Sequence, residues 1–194
     1  MDIKKMNPSL LKDYMYFFDH VAFCDNPSWS LCYCTFYYKD DEENIYPEDT
    51  SIDELRGEIK GFATHKIEQH QLNGFLAYEN DQPIGWCNAD EKSNYKRIMT
   101  NKSIPYDATK KVGSIVCYVV DPNHRGKGVA SALLKAVCKA FKDDHYDYIE
   151  AYPVKNPANS AENYHGPLQM YLNNDFEIIE ELDTFYIVRK TMTR

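Results

Sequence analysis

Apolar residues recur along this chain with two periods, one helical and one alternating. Between residues 10 and 22, Leu11, Tyr14, Met15, Phe18 and Ala22 fall at helical spacing. Val129, Leu133, Val137 and Phe141 recur every fourth residue, with Ala130, Leu134 and Cys138 in the adjoining row. Lys127, Lys135, Lys139 and Lys142 take the other faces, so this helix packs one side and wets the other. A further helix is predicted from Ser51, which forms a capping-box pattern with Glu54. Ile52, Leu55, Ile59, Phe62 and Ile67 continue its apolar side, and Gly57 and Gly61 weaken it. Strands are predicted at residues 2–6, 75–79, 84–88, 114–120, 148–152, 176–181 and 185–190. The second and third form a hairpin across residues 80–83, and the last two an antiparallel pair around residues 182–184. Residues 89–111 read as a long polar loop. Residues 23–48 are the least regular part, first aromatic (Tyr33, Phe36, Tyr37, Tyr38) and then acidic.

The densest chemistry lies where the strand at 114–120 meets the helix at 129–141. Asp121-Pro122 is followed by Arg125-Gly126-Lys127-Gly128-Val129-Ala130-Ser131. A glycine-punctuated turn opening a helix leaves backbone N–H groups unpaired and converging at the positive end of the helix dipole. Gly126 and Gly128 carry no Cβ, so an anion approaches the main chain closely there. Arg125 and Lys127 add positive charge. The segment therefore reads as a cradle for a pyrophosphate rather than as an ordinary strand–helix connection.

Arg125-x-x-Gly128-x-Ala130 resembles the Arg/Gln-x-x-Gly-x-Gly/Ala signature of the GNAT superfamily of N-acetyltransferases, which bind acetyl-CoA. It fits neither the P-loop nor the dinucleotide-binding glycine fingerprint. Val120-Asp121-Pro122 is similar to the end of the family's fourth strand, and residues 148–152 to its fifth. Met170-Tyr171-Leu172-Asn173-Asn174-Asp175-Phe176 is similar to its late helix, with Asp175 where glycine is usual; aspartate tolerates the left-handed conformation that ends such a helix. The stretch from Val154 to Pro167 is longer than the family's and lacks its short asparagine-containing lead-in.

The resemblance implies one α/β (α+β) domain over residues 1–194. Its sheet would be mixed and mostly antiparallel, with helices on both faces and a splay between the fourth and fifth strands. It implies that acetyl-CoA is a co-substrate, with no metal. The pantetheine arm would pair with backbone near Tyr118, Val119 and Val120, as a ligand adding to a strand edge. The pyrophosphate would fall on residues 125–131, that is Arg125, Gly126, Lys127, Gly128, Val129, Ala130 and Ser131. Tyr171 aligns with the family's frequent general acid. Glu150, on the fifth strand, and His165, in the preceding loop, are candidate bases, and Glu150 is the one carried forward. Trp29, Tyr33 and Tyr37, with Trp86 on the hairpin, are expected to line an acceptor pocket. The expected reaction is direct acetyl transfer to a primary amine of a small molecule or peptide in a ternary complex. The alternatives are a CoA-binding sensor without catalysis, or a thiol- or metal-linked regulatory protein using Cys24, Cys32 and Cys34.

Composition bounds this picture. Hydrophobic residues make up 43% of the 194 and charged residues 27%, an ordinary globular balance with enough chain for a core. The net charge of -8 argues against a nucleic-acid partner and mildly favours a cationic substrate. There is neither a membrane-length apolar run nor a secretory signal pattern, which predicts no membrane partner and a cytoplasmic location. A monomer or a homodimer is expected, the latter through the C-terminal hairpin. The six cysteines follow no disulfide-scaffold or zinc-ribbon spacing.

Overall fold

The computed structural model describes residues 1–40, 42–158 and 162–192. In chain order the elements are β1 (Asp2–Lys5), α1 (Leu11–His20), α2 (Ile52–Glu68), β2 (Gly74–Glu79), β3 (Gln82–Glu91) and α3 (Lys96–Thr100). There follow β4 (Val112–Val120), α4 (Val129–Asp143), β5 (Tyr148–Ala151), α5 (Leu168–Leu172), β6 (Glu177–Glu181) and β7 (Tyr186–Thr191). Short single turns of tighter helix occupy several connections.

The strands form one sheet in the order β1-β2-β3-β4-β5-β7-β6, antiparallel throughout except for β4 and β5. Alternation of side chains sends Leu76, Tyr78 and Trp86 to one face and Phe75, Ala77 and Cys87 to the other. The first face is covered by Tyr14, Phe17 and Phe18 of α1 and Ala63 and Ile67 of α2. The second is covered by Val129, Leu133, Val137 and Phe141 of α4 and by Met170 and Tyr171 of α5. Helices on both faces of a mostly antiparallel sheet are the predicted architecture.

Local details follow the chemistry read from the sequence. Ser51 accepts from the Glu54 amide while Glu54 accepts from the Ser51 amide, so the capping box that starts α2 is complete. The β2–β3 hairpin is tighter than expected, because Asn80 and Asp81 both take positive φ (50° and 62°) and turn the chain in two residues. Asp175 takes φ 63° after α5, as its place in the motif predicts.

The loop predicted at 89–111 is corrected. β3 runs on to Glu91, α3 follows, and Tyr95, Ile98 and Ile104 are buried. Polar letters concealed this, because Lys92 and Asp90 are themselves buried with partners. Lys92 Nζ lies 2.6 Å from both the Pro105 carbonyl and Glu150 Oε2, and Asp90 accepts from Asn73 and Asn94.

Two features of β4 set up the site. Its ladder with β3 pairs Ala89 with Ile115 but Asn88 with Cys117, so Val116 is an extra residue, a bulge that bends the strand. Its parallel ladder with β5 ends at Ile115 and Ala151. β5 ends there, the chain after it stays beside the β7 side of the sheet through Pro153 and Val154, and residues 116–120 of β4 face a gap.

Candidate active site

The gap opens into a cavity of about 650 Å³. Its floor is Cys117, Tyr118, Val119 and Val120 of β4. Its roof comes from the irregular segment after α1, including Trp29, Cys32, Tyr33, Cys34 and Tyr37, and from Leu55 and Ile59 of α2. Asn163, Tyr164, Gly166 and Pro167 close one side, and Arg125 and Ala130 stand at the end nearest α4.

Main-chain groups on the floor are available. The Asp121 amide donates to the Ile84 carbonyl at 2.9 Å, which fixes the alternation of the β3–β4 ladder. By that alternation Val119 and Cys117 bond toward β3, and the main chain of Tyr118 and Val120 points into the gap. The Val120 carbonyl accepts there from Arg125 Nε at 3.2 Å.

At the cavity's end, Asp121 organises the turn. Its carboxylate accepts from the Asn123 amide at 3.0 Å and lies 2.6 Å from His124 Nδ1. Gly128 is the N-terminal cap of α4 in left-handed conformation (φ 83°), with no side chain satisfying the helix start, and Gly126 is left-handed too (φ 73°). A Cβ at either glycine would meet nothing within 4 Å, so both face open space. Among the described residues no acceptor serves the amides of residues 126–131; the first helical bond of α4 is Ala132 to the Gly128 carbonyl. Val129 contributes only its amide, since its side chain is buried against Gly85. Unpaired amides converging at the start of a helix are the groups from which a backbone anion site is built.

Arg125 is engaged more than its sequence position suggested. Its two terminal nitrogens lie 2.5 Å and 3.1 Å from the Asp25 carboxylate, which holds that carboxyl below its usual range. Lys127 is exposed.

The acceptor-pocket candidates divide. Trp29 lines the cavity, its ring 5.6 Å from that of Tyr164, and Tyr37 lines it too. Tyr33 reaches the wall but is nearly fully buried, with its hydroxyl on Asp19. Trp86 is corrected: it is fully buried, edge-on to Tyr14 at 4.9 Å in the core, and forms no part of the wall.

The two catalytic candidates sit outside the wall. Glu150 is fully buried and both its oxygens are taken, one by Lys92 at 2.6 Å and one by Arg189 at 2.5 Å. Both carboxylate oxygens are thus occupied by cations within the sheet, away from the cavity wall. Tyr171 is also fully buried, and its hydroxyl donates to the His165 carbonyl at 2.6 Å. Burial pushes that phenol well above its usual range. The hydroxyl nevertheless lies directly beneath the cavity. A Cβ on Gly166, which lines the wall at φ 82°, would come within 3.1 Å of it.

His165 lies behind Tyr37, with Nε2 2.9 Å from the Tyr37 hydroxyl. Burial lowers it to about 4, the nearby backbone of Val116 opposing only in part. Nδ1 has no hydrogen-bond partner among the described residues. Sequence reasoning missed that residues 163–167 form a wall, and that Asp25 anchors Arg125; neither carries a local motif. Among the described residues no three or more His, Cys, Asp or Glu side chains come together as a metal site, and no helix is long and apolar enough to cross a membrane.

The arrangement is matched by known proteins. The model of the acetyltransferase (GNAT) family matches residues 27–166. Among solved structures, the PaiA N-acetyltransferase from Thermoplasma acidophilum, in complex with coenzyme A, is 16% identical with a TM-score of 0.54, covering 98% of this chain and 99% of that one. An N-acetyltransferase from Staphylococcus aureus Mu50 is 17% identical with a TM-score of 0.55, covering 99% and 98%. The GNAT domain of S. lividans PAT is 15% identical with a TM-score of 0.56, covering 97% and 89%. No curated protein matches the chain. At these identities the structures share a fold, whereas the family model spans most of the sequence, the turn that opens α4 included: the chain belongs to the GNAT acetyltransferase family.

Proposed function

We propose that this protein is an acetyl-CoA-dependent N-acetyltransferase that moves the acetyl group directly to a primary amine. One observation carries the reading: the open edge of β4 at Tyr118 leads past Val120, whose carbonyl accepts from Arg125, toward the unsatisfied amides that start α4. A ligand with an amide-bearing arm and a diphosphate fits that sequence of donors and acceptors. The arm would add to the strand edge and the diphosphate would sit on residues 126–131. The thioester would then face the aromatic part of the cavity, where orientation of amine and carbonyl supplies much of the acceleration.

The wall favours an amine with an apolar body. Phe23, Trp29, Leu31, Phe36, Tyr37 and Tyr46 line it, and its one acidic member, Asp25, is bound to Arg125. The PaiA relative's coenzyme A complex supports the same co-substrate here.

Three side chains serve the proton transfers. Tyr37, whose hydroxyl lies 2.9 Å from His165 Nε2, stands to relay a proton from the attacking amine toward that ring. Tyr171 donates past Gly166 to the departing thiolate once the thioester occupies the gap. Release of CoA thiol with a panel of amines tests the reading. Turnover with arylalkyl or aliphatic amines, falling at least about tenfold in Tyr171→Phe with unchanged CoA affinity, supports an enzyme. CoA binding without thiol release from any amine would instead make this a sensor module.

A further inference from the structure

Three of the six cysteines converge on the cavity wall, Cys117 from a strand far in sequence from the neighbouring Cys32 and Cys34. Cys34 Sγ and Cys117 Sγ are 3.1 Å apart, closer than sulfurs in ordinary van der Waals contact and about 1 Å from bonding distance. Both are almost fully buried. Cys32 is partly buried and lines the same wall two residues from Cys34.

The Cys34 thiol is held toward Cys117 by the backbone. Cys34 takes φ 49°, a left-handed conformation unusual for a residue with a side chain. Two core side chains fix the chain there. Asn88 Nδ2 donates to the Cys34 carbonyl at 2.8 Å, and the Tyr14 hydroxyl donates to the Tyr33 carbonyl at 2.5 Å. Asn88 stands opposite Cys117 in the β3–β4 ladder, so one residue is tied to both partners, to Cys34 by its side chain and to Cys117 by strand pairing.

We propose that Cys32, Cys34 and Cys117 form a thiol–disulfide exchange site that takes low-molecular-weight disulfides such as oxidised glutathione. The Cys32 thiolate attacks one sulfur of the small disulfide, giving a mixed disulfide and releasing one small thiol. Cys34 then attacks the Cys32 sulfur, releasing the second small thiol. Cys117 attacks the Cys34 sulfur, which forms the Cys34–Cys117 bond and returns Cys32 as a thiol. The two electrons pass from Cys34 and Cys117 to the small disulfide, and their two protons go to its two thiols. Cys32 is the entry point because it alone of the three is partly open; the neighbouring Cys34 thiol lowers its ionisation range, while burial raises that of Cys34. The product ties the segment after α1 to the floor of the cavity.

The test uses the whole chain with oxidised glutathione, followed by thiol titration and non-reduced peptide mapping. Wild type is expected to lose two titratable thiols, with a Cys34–Cys117 cross-linked peptide that dithiothreitol removes. Cys32→Ser is expected to give the same peptide at least about tenfold more slowly. Cys117→Ser is expected to stop at an adduct or link involving Cys32. Folded wild-type protein that keeps all six thiols, or pairs Cys34 with neither Cys117 nor Cys32, would overturn the proposal. So would Cys32→Ser reacting as fast as wild type. Should Cys117→Ser fail to fold, the wild-type map and the Cys32→Ser rate decide alone.

Discussion

Asp25 and Arg125 stand 100 positions apart in the chain and meet in a two-pronged ion pair, at 2.5 Å and 3.1 Å. The pair bolts the segment that roofs the cavity to the turn that opens α4. It also spends the arginine's charge beside the proposed anion site. Asp25→Asn frees the guanidinium and removes a negative charge near the diphosphate position. CoA is expected to bind a few-fold more tightly, with a steeper loss of affinity as salt rises, in calorimetry at two ionic strengths.

Glu150 supports the fold. Lys92 and Glu150 are essentially without solvent exposure, so removing Glu150 leaves Lys92 buried without its counter-ion. Glu150→Ala is expected to cost about 3–5 kcal/mol in urea unfolding. Lys92→Met combined with Glu150→Leu is expected to recover much of that loss. If Glu150 were the base, a folded variant would lose turnover without losing stability.

His165 makes stability pH-dependent. Its folded value of about 4 lies below the ordinary 6.5, so the unfolded chain binds the proton first as pH falls. Stability contributed by the buried neutral ring is complete above about pH 6.5 and lost progressively as pH falls toward 4, by roughly 3 kcal/mol in total. His165→Gln should flatten the denaturation midpoint across that window. The same substitution should lower turnover at neutral pH if the ring is the proton acceptor.

Trp29 and Trp86 are expected to behave oppositely. Trp29→Ala removes wall and should raise the acceptor KM while CoA affinity stays near wild type. Trp86→Ala empties core against Tyr14 and should cost about 3–5 kcal/mol of stability. Parallel melts and kinetics separate the two.

The contrast shows what the sequence discloses. Period alone gives α1 and α4, because each buries a single stripe; the glycine turn is local, so its residues and geometry could both be read. The capping box of α2 is equally local. Trp86 and Glu150 were read as facing the site because strand alternation names a face without saying what covers it. α3 stayed hidden because Lys92 and Asp90 are polar residues buried by partners distant in sequence. The wall at 163–167 and the Cys34–Cys117 meeting arise from the bulge at Val116 and the parting of β4 from β5, which only the assembled sheet displays.

Calorimetric titration of the folded chain with coenzyme A, beside Ala130→Pro, tests the central claim most directly. Proline in the first helical turn deletes one cradle amide while sparing every internal bond of α4. One equivalent bound per wild-type chain, weakened at least about tenfold in a variant of unchanged melting behaviour, is the predicted result. Folded wild type that takes up no coenzyme A, or a variant that binds it equally well, would contradict the account.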